Sequence, residues 1–236
     1  VKIAPRRIAD IGCATGDGIR DLQQRYAKAL PLALDYALPM LHAVRSRTPR
    51  LQRLTGRGPR LLNADVRALP LAANSLGLVW SNLMLHWLED PLPAFKELHR
   101  VLEVGGLLCF ATLGPGSFRE LRAAWQAVDD DAHVMRFPEM TALGNGLLRA
   151  GLAEPVIDVE TLTICYPDLR QLTTDLRSTG TTNPNSGRRQ GLTGRRSWAR
   201  LEAAYGERRD ADGALPVTLE MVFGTVWAKP AGGNGS

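Results

Sequence analysis

The stretch that decides the fold is IADIGCATGDG, residues 8–18. An apolar run ends at Asp10, and Gly12, Gly16 and Gly18 follow at close intervals. Glycine adopts backbone conformations that other residues avoid, so a glycine turn lets a ligand approach the main chain closely. A turn of this kind before a helix also presents free N–H groups at the helix start. The stretch therefore predicts a strand, a ligand-binding loop and a helix, in that order.

The chain on both sides of this stretch alternates between short apolar runs and longer runs of helical period. This alternation is typical of a mostly parallel sheet with helices on both faces. It predicts an α/β fold with a Rossmann-like, doubly wound sheet of seven strands. Strands are predicted at residues 7–11, 30–34, 60–64, 76–81, 107–113, 156–166 and 217–227, and helices at 18–29, 39–46, 91–102, 117–128, 138–150, 168–176 and 197–205, with a turn at Gly105 and Gly106.

The composition limits the class of protein. The chain has 236 residues, 44% of them hydrophobic, which suits one compact α/β domain. No apolar run of about 18 residues is present, so no membrane span is expected, and no secretory signal is visible. Cys13, Cys109 and Cys165 lie far apart, without the clustered cysteines and histidines that bind zinc. We therefore expect a cytoplasmic protein with buried free thiols and no metal site.

Positive charge is concentrated in two regions. The net charge is +5, and residues 169–209 hold nine arginines against three acids, while a second basic run covers residues 45–60. Such regions either attract an acidic partner or form a solvated surface. They lack the interleaved aromatic residues of a nucleic-acid surface, so we do not expect nucleic-acid binding.

The glycine spacing indicates a cofactor. Dinucleotide-binding folds use G-x-G-x-x-G, whereas this chain has D-x-G-x-x-x-G at Asp10, Gly12 and Gly16. That spacing resembles the first motif of the class I S-adenosylmethionine methyltransferases, in which the loop wraps the methionine end of the cofactor. Ala14 stands where that family more often has glycine.

Three further features follow predicted strands, at the edge where doubly wound sheets bind ligands. Asp35 ends the second strand, where a carboxylate can accept both ribose hydroxyls, and Asp65 ends the third, where in this family an acid meets the adenine amino group. Both positions also suit a helix cap or a turn. SNLMLHW at residues 81–87 and HRVLEVGGLL at 99–108 complete the resemblance. It implies S-adenosyl-L-methionine as cofactor, bound by Asp10, Gly12, Cys13, Gly16, Asp35, Tyr36, Asp65, Val66, Ser81 and Asn82.

The rest of the chain indicates which molecule accepts the methyl group. Residues 80–137, 161–183, 191–209 and 215–230 resemble the malonyl-[acyl-carrier protein] O-methyltransferases of biotin synthesis, most specifically in TLGPGSFRELRAAWQAVDD at 112–130. The resemblance implies methyl transfer to the free carboxylate of a malonyl thioester. The thioester is carried by an acidic acyl-carrier protein or by coenzyme A, and we expect a monomer. We also expect a cofactor-binding core of residues 1–167 and 213–229, a helical cap at 168–212 and a disordered tail at 230–236.

This chemistry needs few catalytic groups. A carboxylate nucleophile is already ionised at neutral pH, so no general base is required. A cation must hold the acceptor carboxylate, and arginine does so with two parallel hydrogen bonds. The candidates are Arg195 and Arg196 in the predicted cap. His86 is a third candidate catalytic residue, which either faces the substrate or packs near the cap.

Alternatives stay open at this point. One is a methyltransferase of another small acid or of a quinone, although methylation at carbon usually needs a base. Another is a non-methylating assembly factor or hydroxylase on the same fold, but no facial triad of two histidines and a carboxylate is evident. The acidic run at residues 129–131 is interpreted as a solvated turn. Members of the family begin with a helical segment, so we expect the natural N-terminus to lie before Val1.

Overall fold

The computed structural model describes residues 3–178 and 194–229. The predicted tail at 230–236 and most of the Arg-rich loop before Gly194 lie outside these residues. The described strands are β1 Arg7–Ile11, β2 Leu30–Asp35, β3 Arg60–Asn63, β4 Leu76–Asn82, β5 Leu102–Leu113, β6 Leu152–Tyr166 and β7 Leu215–Ala228. The described α-helices are α1 Asp17–Arg25, α2 Leu38–Arg47, α3 Arg50–Leu54, α4 Leu92–Val101, α5 Arg119–Gln126, α6 Met140–Arg149, α7 Leu169–Ser178 and α8 Arg195–Gly206.

The strands form one seven-stranded sheet in the order β3-β2-β1-β4-β5-β7-β6. β1 pairs in parallel with both β2 and β4, and β2 with β3 and β4 with β5 are parallel as well. The strand order reverses between β1 and β4, and doubly wound sheets bind ligands at such a point, beyond the carboxyl ends of the strands. The prediction of a doubly wound, seven-stranded α/β fold is confirmed.

Successive side chains of β1 point to opposite faces of the sheet. Ala9 and Ile11 belong to one apolar cluster, which includes residues of α4 and α6. Ile8 belongs to another, which includes residues of α1 and α2. The two clusters explain why the strands β1, β2 and β4 read as nearly continuous apolar runs: both of their faces are covered by helices.

The described chain divides into two compact units. Each unit has its own apolar core. The core of unit 2 includes Leu121 of α5, Leu172 of α7 and Leu201 of α8. Unit 1 consists of the described residues within Val1–Thr112, Met140–Asp158 and Val222–Ser236. Unit 2 consists of the described residues within Leu113–Glu139 and Val159–Met221.

The structure differs from the sequence prediction mainly at β5 and α3. β5 begins at Leu102, and Gly105, with a φ of 77°, lies inside the strand instead of in a turn before it. The register with β4 jumps there, because Leu76 pairs with Leu102 but Leu78 pairs with Leu107. The helix α3 was not predicted, since five exposed residues carry no apolar periodicity. No helix in the described ranges has the length and apolar character to cross a bilayer.

Candidate functional site

The loop after β1 is held in an unusual backbone conformation. Gly12, Ala14 and Gly16 have φ angles of 77°, 44° and 88°, all in the left-handed region. A Cβ atom on Gly12 would lie 2.5 Å from the side chain of Met84, and one on Gly16 would lie 3.0 Å from Val44. Two of the three positions therefore need glycine for both conformation and space. Ala14 takes up the left-handed conformation with its methyl group exposed.

Asp35 ties this loop to the segment after β2. One carboxylate oxygen accepts the N–H of Ala14 at 2.9 Å, and the other accepts the N–H of Ala37 at 2.8 Å. The amides of Gly12 and Cys13 both donate to the carbonyl of Leu34, at 2.9 and 3.0 Å. An ionised carboxylate can accept about four hydrogen bonds, so Asp35 retains capacity for a ligand. The helix α2 has no side-chain cap, so Asp35 is not its N-cap residue.

Asp10 lies at the end of β1 and is only 2% exposed. Burial, opposed by a hydrogen bond from the N–H of Ile19 and assisted by the charge of Asp35, raises its pKa to about 7. Cys13 is also buried, and burial together with Asp10 and Asp35 raises the pKa of its thiol to about 12. The predicted buried free thiol is confirmed at Cys13, but Cys165 is exposed, so the prediction that the cysteines are all buried was wrong. Asp10 can gain or lose a proton near neutral pH.

Asp65 lies just beyond β3 and is paired with Arg67. The guanidinium Nη2 is 2.6 Å from Oδ2, and the backbone N–H of Arg67 donates to Oδ1 at 2.8 Å. Hydrogen bonds from Arg67 hold the pKa of Asp65 below its usual value, so this carboxylate is charged at neutral pH. Val66 between them is 6% exposed and packs in the core. A ligand that approaches Asp65 would share it with Arg67.

The carboxyl ends of β4 and β5 carry two buried hydroxyl groups. Ser81 and Thr112 are both 0% exposed, and neither hydroxyl has a hydrogen-bond partner within the described part of the chain. Ser81 pairs with Phe110, so Ser81 and Thr112 lie on the same face of neighbouring strands. Asn82 and Tyr36, which were predicted to bind the cofactor, are exposed, Tyr36 by 78%.

His86 lies in a 3₁₀ turn, Leu85–Trp87, that follows β4. It is 8% exposed, and its ring centroid is 5.3 Å from that of Trp87. Burial lowers the pKa of His86 to about 4, so its imidazole is neutral at pH 7. A role for His86 in catalysis stays a prediction.

The predicted acceptor arginines lie in unit 2. Arg195 and Arg196 are the first two residues of α8 and are exposed. A helix start favours anions over cations, so these side chains do not stabilise the helix through its dipole. Their assignment to the acceptor carboxylate stays a prediction.

The acidic turn in unit 2 includes a histidine that the sequence interpretation overlooked. Asp129, Asp131 and His133 each offer one potential metal-ligand atom, all within 4.8 Å of one another. His133 Nε2 lies 2.6 Å from Asp129 Oδ1, and its ring stacks on Trp125 with centroids 3.5 Å apart. The hydrogen bond and the stacking account for the position of His133 without a metal ion.

Met84 and Thr112 are the residues near the site that sequence reasoning missed. Met84 fills the space that a side chain at position 12 would need, and Thr112 places a buried hydroxyl beside β4. The strand alternation of β5 was a usable signal for Thr112, because it predicts which side chains share a face. No local pattern indicates that Met84 contacts position 12.

Comparisons with known proteins agree with this geometry. The family described as "Methyltransferase domain" matches residues 9–110. The chain is 48% identical to the malonyl-[acyl-carrier protein] O-methyltransferase of Gallionella capsiferriformans, over 98% of this chain and 79% of that protein. It is 45% identical to the protein of the same name from Laribacter hongkongensis, over 98% of this chain and 78% of that protein.

Solved structures show the same fold at low sequence identity. The YcgJ protein of Bacillus subtilis superposes with a TM-score of 0.66 at 15% identity, over 97% of this chain and 94% of that one. A methyltransferase-type structure from Bacillus halodurans gives a TM-score of 0.63 at 11% identity, over 96% of this chain and 94% of that one. At these identities the structures support the fold alone.

Proposed function

This chain belongs to the family of malonyl-[acyl-carrier protein] O-methyltransferases, and we propose on that premise that it esterifies the free carboxylate of a malonyl thioester. The chain is a methyltransferase. The observation that carries the choice of acceptor is the 48% identity over 98% of the chain, since it extends through unit 2 as well as through the glycine loop. The ester would serve biotin synthesis, in the cytoplasm.

The proposed cofactor is S-adenosyl-L-methionine, and the residues after β1, β2 and β3 fit it. Asp35 has free acceptor capacity for the two ribose hydroxyls, and Asp65 is a charged acceptor for the adenine amino group. The left-handed residues Gly12 and Gly16 set the path of the loop along which the methionine end would lie. When bound, this cofactor supplies a methyl group on a positively charged sulfur, which an oxygen nucleophile displaces in line.

The protein then has to align the acceptor without activating it. The acceptor carboxylate is ionised at neutral pH, so no proton has to be removed. With the cofactor bound, the carboxylate oxygen would bond to the methyl carbon as the carbon–sulfur bond breaks, and the electron pair of that bond would stay on sulfur. Proximity and orientation alone can supply up to roughly 7–11 kcal/mol of such a barrier. His86 is neutral and adds no positive charge near the acceptor.

The proposed acceptor side is basic. We propose that the helices α7 and α8 belong to a substrate cap over residues 168–212 and that Arg195 and Arg196 contribute positive charge to it. An acyl-carrier protein is strongly acidic around its prosthetic group, so arginines in this region would steer it towards the enzyme. The alternative carrier of the thioester is coenzyme A.

Calorimetry with S-adenosylhomocysteine, followed by mass spectrometry of malonyl-carrier protein incubated with S-adenosylmethionine, tests the proposal. We expect micromolar binding and a mass gain of one methylene on the malonyl group. Asp35→Ala should weaken S-adenosylhomocysteine binding by more than about tenfold, because it removes a charged acceptor. Binding without the mass gain would contradict the acceptor, and no binding would contradict the cofactor.

The carrier is tested by salt dependence. Binding of malonyl-carrier protein should weaken several-fold between low and physiological ionic strength, because the proposed attraction between the two proteins is screened. Binding that does not depend on salt would contradict the carrier-docking surface. If malonyl-coenzyme A were methylated as fast as malonyl-carrier protein, the coenzyme A thioester would be the proposed acceptor instead.

A further inference from the structure

Arg122 of α5 is a half-buried arginine that is held by backbone carbonyls. Its Nη1 donates to the carbonyl of Pro115 at 3.3 Å, and its Nη2 donates to those of Ser117 and Met135 at 3.2 and 3.5 Å. Within the two described ranges, no carboxylate forms an ion pair with it. The guanidinium is thus fixed in place, and its charge is not balanced by an acidic partner.

A second arginine lies next to it. Arg136 directly follows Met135, whose carbonyl accepts from Arg122, and its side chain is exposed. Burial and the positive charge of Arg136 both lower the pKa of Arg122. The positive charge of Arg136 therefore adds to that of Arg122 in attracting an anion.

Other arginines of the same unit do not share this arrangement. Arg119, one turn earlier on α5, pairs with Glu120 at 3.0 Å. Arg200 of α8 donates to the carbonyl of Ala127 at 2.7 Å but is exposed to solvent. Arg122 therefore differs from Arg119 in lacking an acidic partner and from Arg200 in being half-buried.

The donors of Arg122 are only partly used. A guanidinium has five N–H groups, and three hydrogen bonds to carbonyls leave donors for a ligand. Because the carbonyls already hold the group in one orientation, a bound anion would cost less side-chain entropy than at a mobile surface arginine. Arg195 and Arg196 are exposed and lack this restraint.

We propose that Arg122 and Arg136 form the anion site that receives the free carboxylate of the acceptor. The inference rests on the proposed function and assigns to these two residues the role that sequence reasoning gave to Arg195 and Arg196. Arg122 also belongs to residues 112–130, the most specific segment of the family resemblance. Arg122 lies in α5, and two of the carbonyls that hold its guanidinium, those of Pro115 and Ser117, belong to the segment that follows β5.

The test separates the carboxylate from the rest of the ligand. Malonyl- and acetyl-loaded carrier protein are compared by calorimetry in the presence of S-adenosylhomocysteine, since both contain the same thioester and phosphate but only one contains the carboxylate. We expect the wild type to bind the malonyl form more tightly. Arg122→Met should reduce this preference by about ten- to a hundredfold and leave binding of the acetyl form unchanged.

Matched variants sharpen the result. Arg136→Met should reduce the preference by a smaller factor, because this side chain is exposed. Arg122→Lys should restore part of the preference, since it keeps the charge without the fork of donors. Arg200→Met is the control and should keep the full preference, whatever it does to carrier docking.

Three results would overturn the inference. If Arg122→Met weakened binding of the malonyl and acetyl forms equally, Arg122 would have a structural role or would bind the phosphate. A preference that survives in Arg122→Met and Arg136→Met but disappears in Arg195→Met or Arg196→Met would return the role to α8. A wild type without preference would contradict the proposed acceptor itself. If Arg122→Met does not fold, the test rests on Arg136→Met, because no described hydrogen bond depends on that side chain. An unchanged preference for the malonyl form in Arg136→Met would then overturn the inference.

Discussion

Asp10 in unit 1 and Glu120 in unit 2 are both buried carboxylates, 2% and 9% exposed, yet they respond to burial in opposite ways. The pKa of Asp10 is raised to about 7. The pKa of Glu120 is held below its usual value, although burial acts to raise it. The comparison shows that depth of burial alone does not decide whether an acid is charged.

The difference lies in the number of donors. Glu120 accepts the N–H of Thr218 at 2.9 Å and also its hydroxyl, and Arg119 lies 3.0 Å away. Asp10 accepts a hydrogen bond from the N–H of Ile19 and is repelled by the negative charge of Asp35. Hydrogen bonds to the charged form lower a pKa, whereas desolvation and like charge raise it. Glu120 is therefore a fixed charge, and Asp10 is close to its midpoint at neutral pH.

The largest expected effect comes from Asp10→Asn. Because the folded protein holds the proton up to about pH 7 while the unfolded chain releases it near pH 3.8, the free energy of unfolding of the wild type falls between these values. The amide does not titrate and can still accept from Ile19. The stability of the variant relative to the wild type should therefore rise by roughly 4 kcal/mol between pH 4 and pH 8.

Urea unfolding at a series of pH values measures this difference. Asp17→Asn is the control, because Asp17 is an exposed acid whose ion pairs with Arg20 and Arg47 lie at the surface and are screened by solvent. A difference between Asp10→Asn and the wild type that does not change with pH would mean that Asp10 is ionised throughout, like Glu120.

The second effect has the opposite sign. Glu120→Gln should destabilise the protein by about 2 kcal/mol at pH 7. The Glu120 carboxylate accepts two hydrogen bonds from Thr218, whereas the NH₂ group of glutamine is a donor and cannot accept one of them. The stabilisation by Glu120 is present above its unfolded pKa of about 4.5 and is lost as pH falls through the lower folded value. The two proteins should therefore approach equal stability in acid.

Thr218→Val provides the matched measurement. It removes the hydroxyl donor but keeps the backbone N–H, so its cost should be smaller than that of Glu120→Gln. Equal stability of Glu120→Gln and the wild type at pH 7 would contradict the hydrogen-bond network and would remove the contrast with Asp10.

Much of the fold was predictable because its signals are local. The strands β1, β2 and β4 are buried on both faces, so they appear in the sequence as apolar runs. Gly12 and Gly16 occur where the backbone must be left-handed, which is a requirement of the residue itself. By contrast, the sequence predicts a turn at Gly105 where the structure has an irregular strand, because a bulge within a strand and a turn before it both favour glycine.

The site was less predictable because its chemistry depends on distant partners. Asp35 was identified from its place at a strand end, but its bonds to Ala14 and Ala37 were not. Arg122 carries no sequence signal, since its fixed position depends on carbonyls of Pro115 and Met135. A charged side chain looks the same in a sequence whether its charge is balanced or not.

The smallest expected effect tests how tightly Asp10 is enclosed. Alanine in place of glycine in a helix is normally worth up to about 1 kcal/mol. At Gly18 of α1, however, the new Cβ would lie 2.7 Å from Asp10 Oδ2 and 3.3 Å from Trp80 Nε1. Gly18→Ala should therefore destabilise the protein by about 1 kcal/mol, and by more at pH 8 than at pH 6, because added desolvation penalises the charged carboxylate.

Gly206→Ala at the end of α8 is the matched control in unit 2. No atom of a neighbouring element in the described part of the chain lies within 4 Å of the position its Cβ would take, so we expect stabilisation by about 0.5 kcal/mol at every pH. Thermal unfolding of both variants at the two pH values measures the contrast. If Gly18→Ala stabilised the protein as Gly206→Ala does, the carboxylate of Asp10 would have room to move away from α1. Its raised pKa would then need a cause other than close packing.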